Sequence, residues 1–204
     1  MVSPSSDDNT AAAVVPTPVK IIVAGGFGAG KTTMVGSVSE IPPLSTEEVM
    51  TAASDGIDDI TGVEQKKTTT VALDFGRITI SPHTVLYLFG TPGQERFWYM
   101  WDELARGAIG TVVLVDTRRL DSSFSAIDFF ERRNIPFIVA VNCFEGSDDY
   151  TEDEIRSALA ISPGVPILFC DARQRESSKL ALIRLVRFAM SKLPAEPQMA
   201  SSGA

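Results

Sequence analysis

The sequence predicts an α/β fold, a doubly wound and mostly parallel sheet of six strands with helices on both faces. Three observations carry this. Six short apolar runs are bounded by turn residues, amphipathic stretches lie between them, and most of the links are short. In order, Val19–Ala24 is an apolar run that ends in glycines, and Lys31–Ser39 after it has a helical pattern. Thr69–Phe75 is rich in β-branched residues and reads as a strand. Thr84–Phe89, Gly110–Val115, Pro136–Val141 and Val165–Cys170 are continuous apolar runs, the pattern of strands covered on both faces. Asp102–Arg106, Ser122–Arg133, Thr151–Leu159 and Glu176–Leu193 supply the other helices. In the last, Leu180, Ile183, Leu185, Val186 and Ala189 recur at roughly helical spacing. The link from Glu40 to Lys67 is long and acidic, with no strand pattern. A loop of that length in a compact domain is usually functional.

Composition narrows the function. Among 204 residues, 26 Asp and Glu outnumber 18 Lys and Arg, a net charge of −8 that argues against a nucleic-acid-coating protein. No apolar run reaches the ~18 residues of a membrane span, and the start lacks the basic-then-apolar layout of a secretory signal. No lipid anchor is expected. The two cysteines, Cys143 and Cys170, have no metal-ligand spacing. A cytoplasmic protein, monomeric in isolation, is expected. Residues 1–17 and 194–204 read as disordered tails around one domain at 18–193, since both lack apolar periodicity.

The first strand runs into Gly25-Gly26-Phe27-Gly28-Ala29-Gly30-Lys31-Thr32, which fits G-x-x-x-x-G-K-[ST]. Such glycines let backbone N–H groups converge on phosphate oxygens, and the helix that follows adds its positive end. Gly25, Gly28, Ala29, Gly30 and Thr33 are therefore expected to bind a nucleotide. Lys31 would reach its β- and γ-phosphates, and the Thr32 hydroxyl would ligate Mg2+. The fold class sharpens to a P-loop NTPase.

After the long link comes Lys66-Lys67-Thr68-Thr69-Thr70-Val71-Ala72-Leu73-Asp74-Phe75-Gly76, and a later strand ends in Phe89-Gly90-Thr91-Pro92-Gly93-Gln94-Glu95-Arg96-Phe97. These segments resemble the Ras-like small GTPases, whose second switch often reads D-T-A-G-Q-E-R-F. The resemblance spans about residues 18–193. It is closer to the actinobacterial conservon GTPases, which share V-A-G-G-F-G-x-G-K-T-T, L-F-G-T-P-G-Q and V-V-L-V-D-T-R-R, and more distant to the bacterial gliding-motility polarity GTPases. The resemblance implies a regulatory, Mg2+-dependent GTP switch that hydrolyses GTP slowly to GDP. Residues of roughly 40–70 and 90–101 would order around the γ-phosphate. A threonine at the end of the first switch would ligate Mg2+ and sense the γ-phosphate. Three adjoin, and Thr70 fits the T-x-x-x-D-F register of the polarity GTPases. Gly93 would donate its N–H to the γ-phosphate and Gln94 would orient the attacking water. The conservon likeness further implies two partners, a roadblock-type protein and a histidine-kinase-like membrane sensor, with membrane association only through them.

For base recognition, Asn142-Cys143-Phe144-Glu145 stands where the family reads N-K-x-D. Asn142 would brace the loop, and the Glu145 carboxylate would accept from guanine N1–H and its amine. Cys143 loses the lysine stem. Ala172 matches the alanine of the family's S-A-K, whose N–H contacts the guanine oxygen. Two departures bear on catalysis. Gly90 stands where the D-x-x-G aspartate should be, with Asp74 read mainly as an exposed or structural carboxylate and secondarily as its substitute. Phe27 crowds the γ-phosphate side. No arginine immediately precedes Thr70, so the arginine contribution of about 10³–10⁵ in rate is missing and hydrolysis should be very slow without a partner. A non-hydrolysing scaffold is the rival reading, and an ATPase or small-molecule kinase a third. Asp116, Arg118 and Arg119 read as turn or partner-facing charges. The aromatic run Phe97–Trp101 reads as a partner surface or as packing beneath the second switch.

Overall fold

The computed structural model describes residues 15–42, 44–51, 68–93, 99–146 and 149–193. Its strands are β1 (Thr17–Gly25), β2 (Leu44–Thr51), β3 (Thr68–Ser81), β4 (Thr84–Gly90), β5 (Ala108–Val115), β6 (Phe137–Asn142) and β7 (Ile167–Cys170). The helices are α1 (Lys31–Val38), α2 (Trp101–Ala105), α3 (Phe124–Arg132), α4 (Glu152–Ala158) and α5 (Arg175–Ser191). The sheet order is β2-β3-β4-β1-β5-β6-β7. β4, β1, β5, β6 and β7 run parallel, while β2–β3 and β3–β4 are antiparallel.

Alternate residues of each central strand face opposite layers. Ile21, Val23, Val112, Leu114, Ile138 and Ala140 pack with Met34 and Val35 of α1 and Leu182 and Leu185 of α5. Their neighbours Ile22, Ala24, Val113, Val115, Val139 and Val141 pack with Ile127 and Phe130 of α3 and Ile155 of α4. This two-faced burial is what the continuous apolar runs require, and it gives the doubly wound fold. Local chemistry sets several ends. Thr151 caps α4 by accepting from the Glu154 N–H while Glu154 accepts from the Thr151 N–H, a reciprocal capping box. Pro82 and His83 make the turn between β3 and β4, in which Ser81 pairs with Thr84.

The sheet carries one strand beyond the expected six. β2 lies inside the segment read as loop and pairs with β3 from Leu44↔Phe75 to Thr51↔Thr68. As an edge strand it pairs through its backbone on one side and needs no apolar run. Glu47 and Glu48, which made it read as loop, are residue types that sheet edges carry. Of the tails expected at 1–17 and 194–204, residues 1–14 and 194–204 lie outside the described residues, and Thr17 opens β1. No helix among the described residues is long and apolar enough to cross a membrane.

Candidate nucleotide site

The loops after β1, β4, β5, β6 and β7 gather at the carboxyl end of the parallel strands, where ligands bind in open α/β sheets. The loop after β1 is shaped by glycines at which any side chain would be strained. Gly25 has φ 141°, and a Cβ there would come within 2.4 Å of the Leu114 carbonyl oxygen. Gly30 has φ 103°, and a Cβ there would meet Asn142 Nδ2 at 2.5 Å. Gly30 caps α1, so the first amides of that helix, from Lys31 to Thr33, are left for a ligand. Lys31 is 8% exposed, and its ammonium donates to the carbonyl oxygens of Gly25 (3.0 Å) and Gly26 (2.7 Å). Burial pushes its pKa down to about 8, opposed by the nearby Asp74 carboxylate. A buried ammonium held by two carbonyls is undersupplied with negative charge, and a phosphate would supply it.

Thr32 Oγ1 donates to Asp74 Oδ2 at 2.7 Å. The β3–β4 register sets Asp74 opposite Gly90, and a Cβ on Gly90 would lie 2.9 Å from both Asp74 Cβ and Asp74 Oδ2. Asp74 therefore fills the space that a side chain at position 90 would take. Asp74 is half-buried and its hydrogen-bond partner is the hydroxyl expected at the metal, an arrangement that serves a structural carboxylate and a substitute for the missing aspartate alike. A hydroxyl and a carboxylate are the hard oxygen donors that Mg2+ takes from protein, with phosphates and water completing its shell. The residues present thus fit the ion. No cluster of three or more His, Cys, Asp or Glu that could cage a metal occurs among the described residues.

After β4, the Thr91 N–H donates to the Val23 carbonyl (2.9 Å) and Trp101 Nε1 donates to the Pro92 carbonyl (3.3 Å). Trp101 is buried, stacked on Phe130 and edge-on to Phe129, so this member of the aromatic run is packing. Tyr99 is exposed, and Phe97 and Trp98 lie outside the described residues. Gly93 sits against the phosphate loop. A Cβ there would come within 2.8 Å of Lys31 Nζ and of Phe27 Cα. Gln94 lies outside the described residues. Thr70 is in the β2–β3 ladder opposite Val49. That is about 13 Å of extended strand from Asp74, so the first-switch threonine is not brought to Thr32 in this arrangement.

At the base end, Asn142 is buried and joins two loops. Its Nδ2 donates to the Ala29 carbonyl (3.0 Å), and its Oδ1 accepts the Ala172 N–H (3.0 Å). The Ala172 amide, expected to meet the base, is thus engaged by Asn142. Glu145 is exposed, near enough to Arg173 to act on its charge. Asp171 holds Arg173 through both carboxylate oxygens (2.9 and 3.0 Å). Cys143 is exposed, and its N–H donates to the Cys170 carbonyl (2.7 Å).

In the segment after β5, expected as a turn or as partner-facing charges, Arg118 and Arg119 are half-exposed in a 3-10 segment, and the expectation is corrected at Asp116. Asp116 is fully buried. It accepts from the Arg118 N–H (3.0 Å), from Arg118 Nε and a terminal nitrogen (both 2.9 Å), and from Arg119 (3.3 Å). These hydrogen bonds, those of Arg118 first, hold its carboxyl below the usual range. The available signal was its place at the carboxyl end of a buried strand, where a carboxylate followed by two arginines has partners at hand.

Comparison with known proteins agrees with this architecture. Over residues 23–192 the chain matches the family described as a conserved hypothetical ATP binding protein. The uncharacterized protein MJ1339 of Methanocaldococcus jannaschii is 29% identical over 137 residues, 66% of this chain and 76% of that protein. Among solved structures, the G domain of the T. maritima FeoB iron transporter superposes with a TM-score of 0.57 at 16% identity, over 85% of this chain and 99% of that one. The apo cytosolic domain of the same transporter gives 0.60 at 16% identity, over 92% and 69%. At such identity the likeness is one of fold. With its glycine cradle, buried lysine and paired hydroxyl and carboxylate, this P-loop nucleotide-binding chain belongs to the conserved hypothetical ATP binding protein family.

Proposed function

We propose that the protein is a Mg2+-dependent GTP switch that hydrolyses GTP to GDP slowly and waits on a partner for speed. The observation that carries the reading is the Thr32–Asp74 pair beside the buried Lys31, which joins the first turn of α1 to β3 as a candidate metal and phosphate site. In it, the loop amides and Lys31 hold the β- and γ-phosphates, and Thr32 and Asp74 supply the oxygen donors for Mg2+. When bound, the ion neutralises charge on the phosphate oxygens. Gly93 donates its N–H to the γ-phosphate, and Gln94 orients water. A role for Thr70 at the metal requires the β2–β3 ladder to open at that end, which gives the switch a mechanical form: strand pairing in one state, phosphate sensing in the other.

Guanine is favoured by Glu145, since a carboxylate in the loop after β6 accepts from guanine N1–H and its amine, whereas adenine presents a lone pair at N1. The family's description favours ATP instead. Mass identification of the nucleotide that co-purifies, followed by GDP, GTP and ATP affinities in millimolar Mg2+, separates the two. Tighter binding of ATP than GTP overturns the guanine assignment. Single-turnover hydrolysis, alone and with a roadblock-type partner, tests the switch. GTP that persists in both cases while partner binding ignores the nucleotide sinks it. Partner docking to the second switch, and membrane association through a histidine-kinase-like sensor, belong to the same proposal.

A further inference from the structure

We infer that Arg119 is a second cation of the nucleotide site, a residue of the link after β5 that touches the bound nucleotide beside Gly28 and slows its release. The inference rests on the nucleotide reading above and adds a residue to it. The link is a kinked 3-10 segment, Thr117–Ser123, and it is docked on the phosphate loop at two points. Ser122 occupies the space beside Gly26, where a Cβ would come within 2.3 Å of its Oγ. The Arg119 guanidinium lies beside Gly28, where a Cβ would come within 2.8 Å of a terminal nitrogen. Ser122 Oγ also donates to the Arg119 carbonyl (2.7 Å), which fixes the kink. At the kink Arg119 has φ −145° and ψ 57°, and this departure from helical geometry separates its course from that of Arg118.

Elimination among the neighbouring cations points the same way. Arg118 is committed, with both carboxylate oxygens of Asp116 and the Phe144 ring 3.9 Å beneath its guanidinium. Arg173 is held through both oxygens of Asp171. Arg119 makes one long contact, 3.3 Å to Asp116, and among the described residues no other hydrogen bond of its guanidinium occurs. Its side chain is about half exposed, at 49%. A guanidinium has five donors in a planar fork suited to phosphate oxygens, so most of its capacity is unspent while one terminal nitrogen lies beside Gly28. Apart from Asn142, the loop from Asn142 to Gly146 is Cys, Phe, Glu and Gly, and it brings no cation of its own.

The test is the release rate of a fluorescent GDP from the full chain in millimolar Mg2+, with the melting temperature of the nucleotide-free protein recorded in parallel. Arg119→Ala and Arg119→Gln are expected to speed release about ten- to hundredfold, the worth of a charge-assisted hydrogen bond. Arg119→Lys should keep part of that loss from appearing. The melting temperature should stay near that of the unsubstituted chain, because Arg118 still saturates Asp116. Release within twofold of the unsubstituted chain in both the Ala and Gln variants overturns the inference. So does faster release accompanied by an equal loss of stability in all three variants, which is the mark of a brace. If the unsubstituted chain binds no nucleotide, the function proposed above fails instead, so the two failures are distinct.

Discussion

Asp74 and Asp116 are both carboxylates at the carboxyl end of the sheet, yet the structure uses them in opposite ways. Asp116 is sealed from solvent and saturated by two arginines and a backbone N–H. Asp74 is half-buried and has one small partner, the Thr32 hydroxyl. A carboxylate that is fully paired positions its neighbours, and one with unspent lone pairs can take a metal. What separates them is supply. The link after β5 brings its own arginines, whereas Asp74 faces a glycine that leaves the space open.

Substitutions should divide along that line. The largest effect is expected from Asp116→Ala, which strands two half-exposed guanidinium groups beside a void. Loss of about 2–3 kcal/mol, or roughly 5–10 °C in the melting temperature of the nucleotide-free protein, is expected. A change below about 2 °C would erase the contrast. Asp74→Ala should leave the melting temperature nearly unmoved and instead weaken Mg2+ about ten- to hundredfold, read as the metal dependence of GDP affinity. The exchange Asp74→Gly with Gly90→Asp returns a carboxylate to the same space from the adjacent strand, and should recover most of that dependence. Gly90→Asp alone crowds Asp74 with a like charge and should weaken the metal dependence. The smallest effect concerns Lys31. Since burial lowers its pKa to about 8, the free protein loses this positive charge above that pH. Nucleotide affinity, measured by titration calorimetry, should be level below pH 8 and fall by up to about tenfold per pH unit above it. A level profile to pH 9.5 would show that the ammonium is not what the phosphates meet.

The phosphate loop, the parallel core and the helices were legible because each rests on local chemistry: glycines where the backbone turns left-handed, apolar runs where both faces are covered, helical spacing at Leu185, Val186 and Ala189. What escaped depended on pairing between distant segments. That Asp74 stands in for a side chain at position 90 follows from the β3–β4 register, and a register is set by the turn at Pro82–His83 and cannot be read from either strand alone. β2 escaped because an edge strand need not show an apolar pattern. The burial of Asp116 escaped because two arginines next to an acid look the same on a surface as beneath one. Asn142 was the exception, a distant contact foreseen from its motif, and it does brace the loop.

That carboxamide has a wider consequence. One end holds the loop after β1 and the other the loop after β7, so a single side chain ties together two loops whose strands are far apart in the sequence. Removing that one amide would release both loops at once.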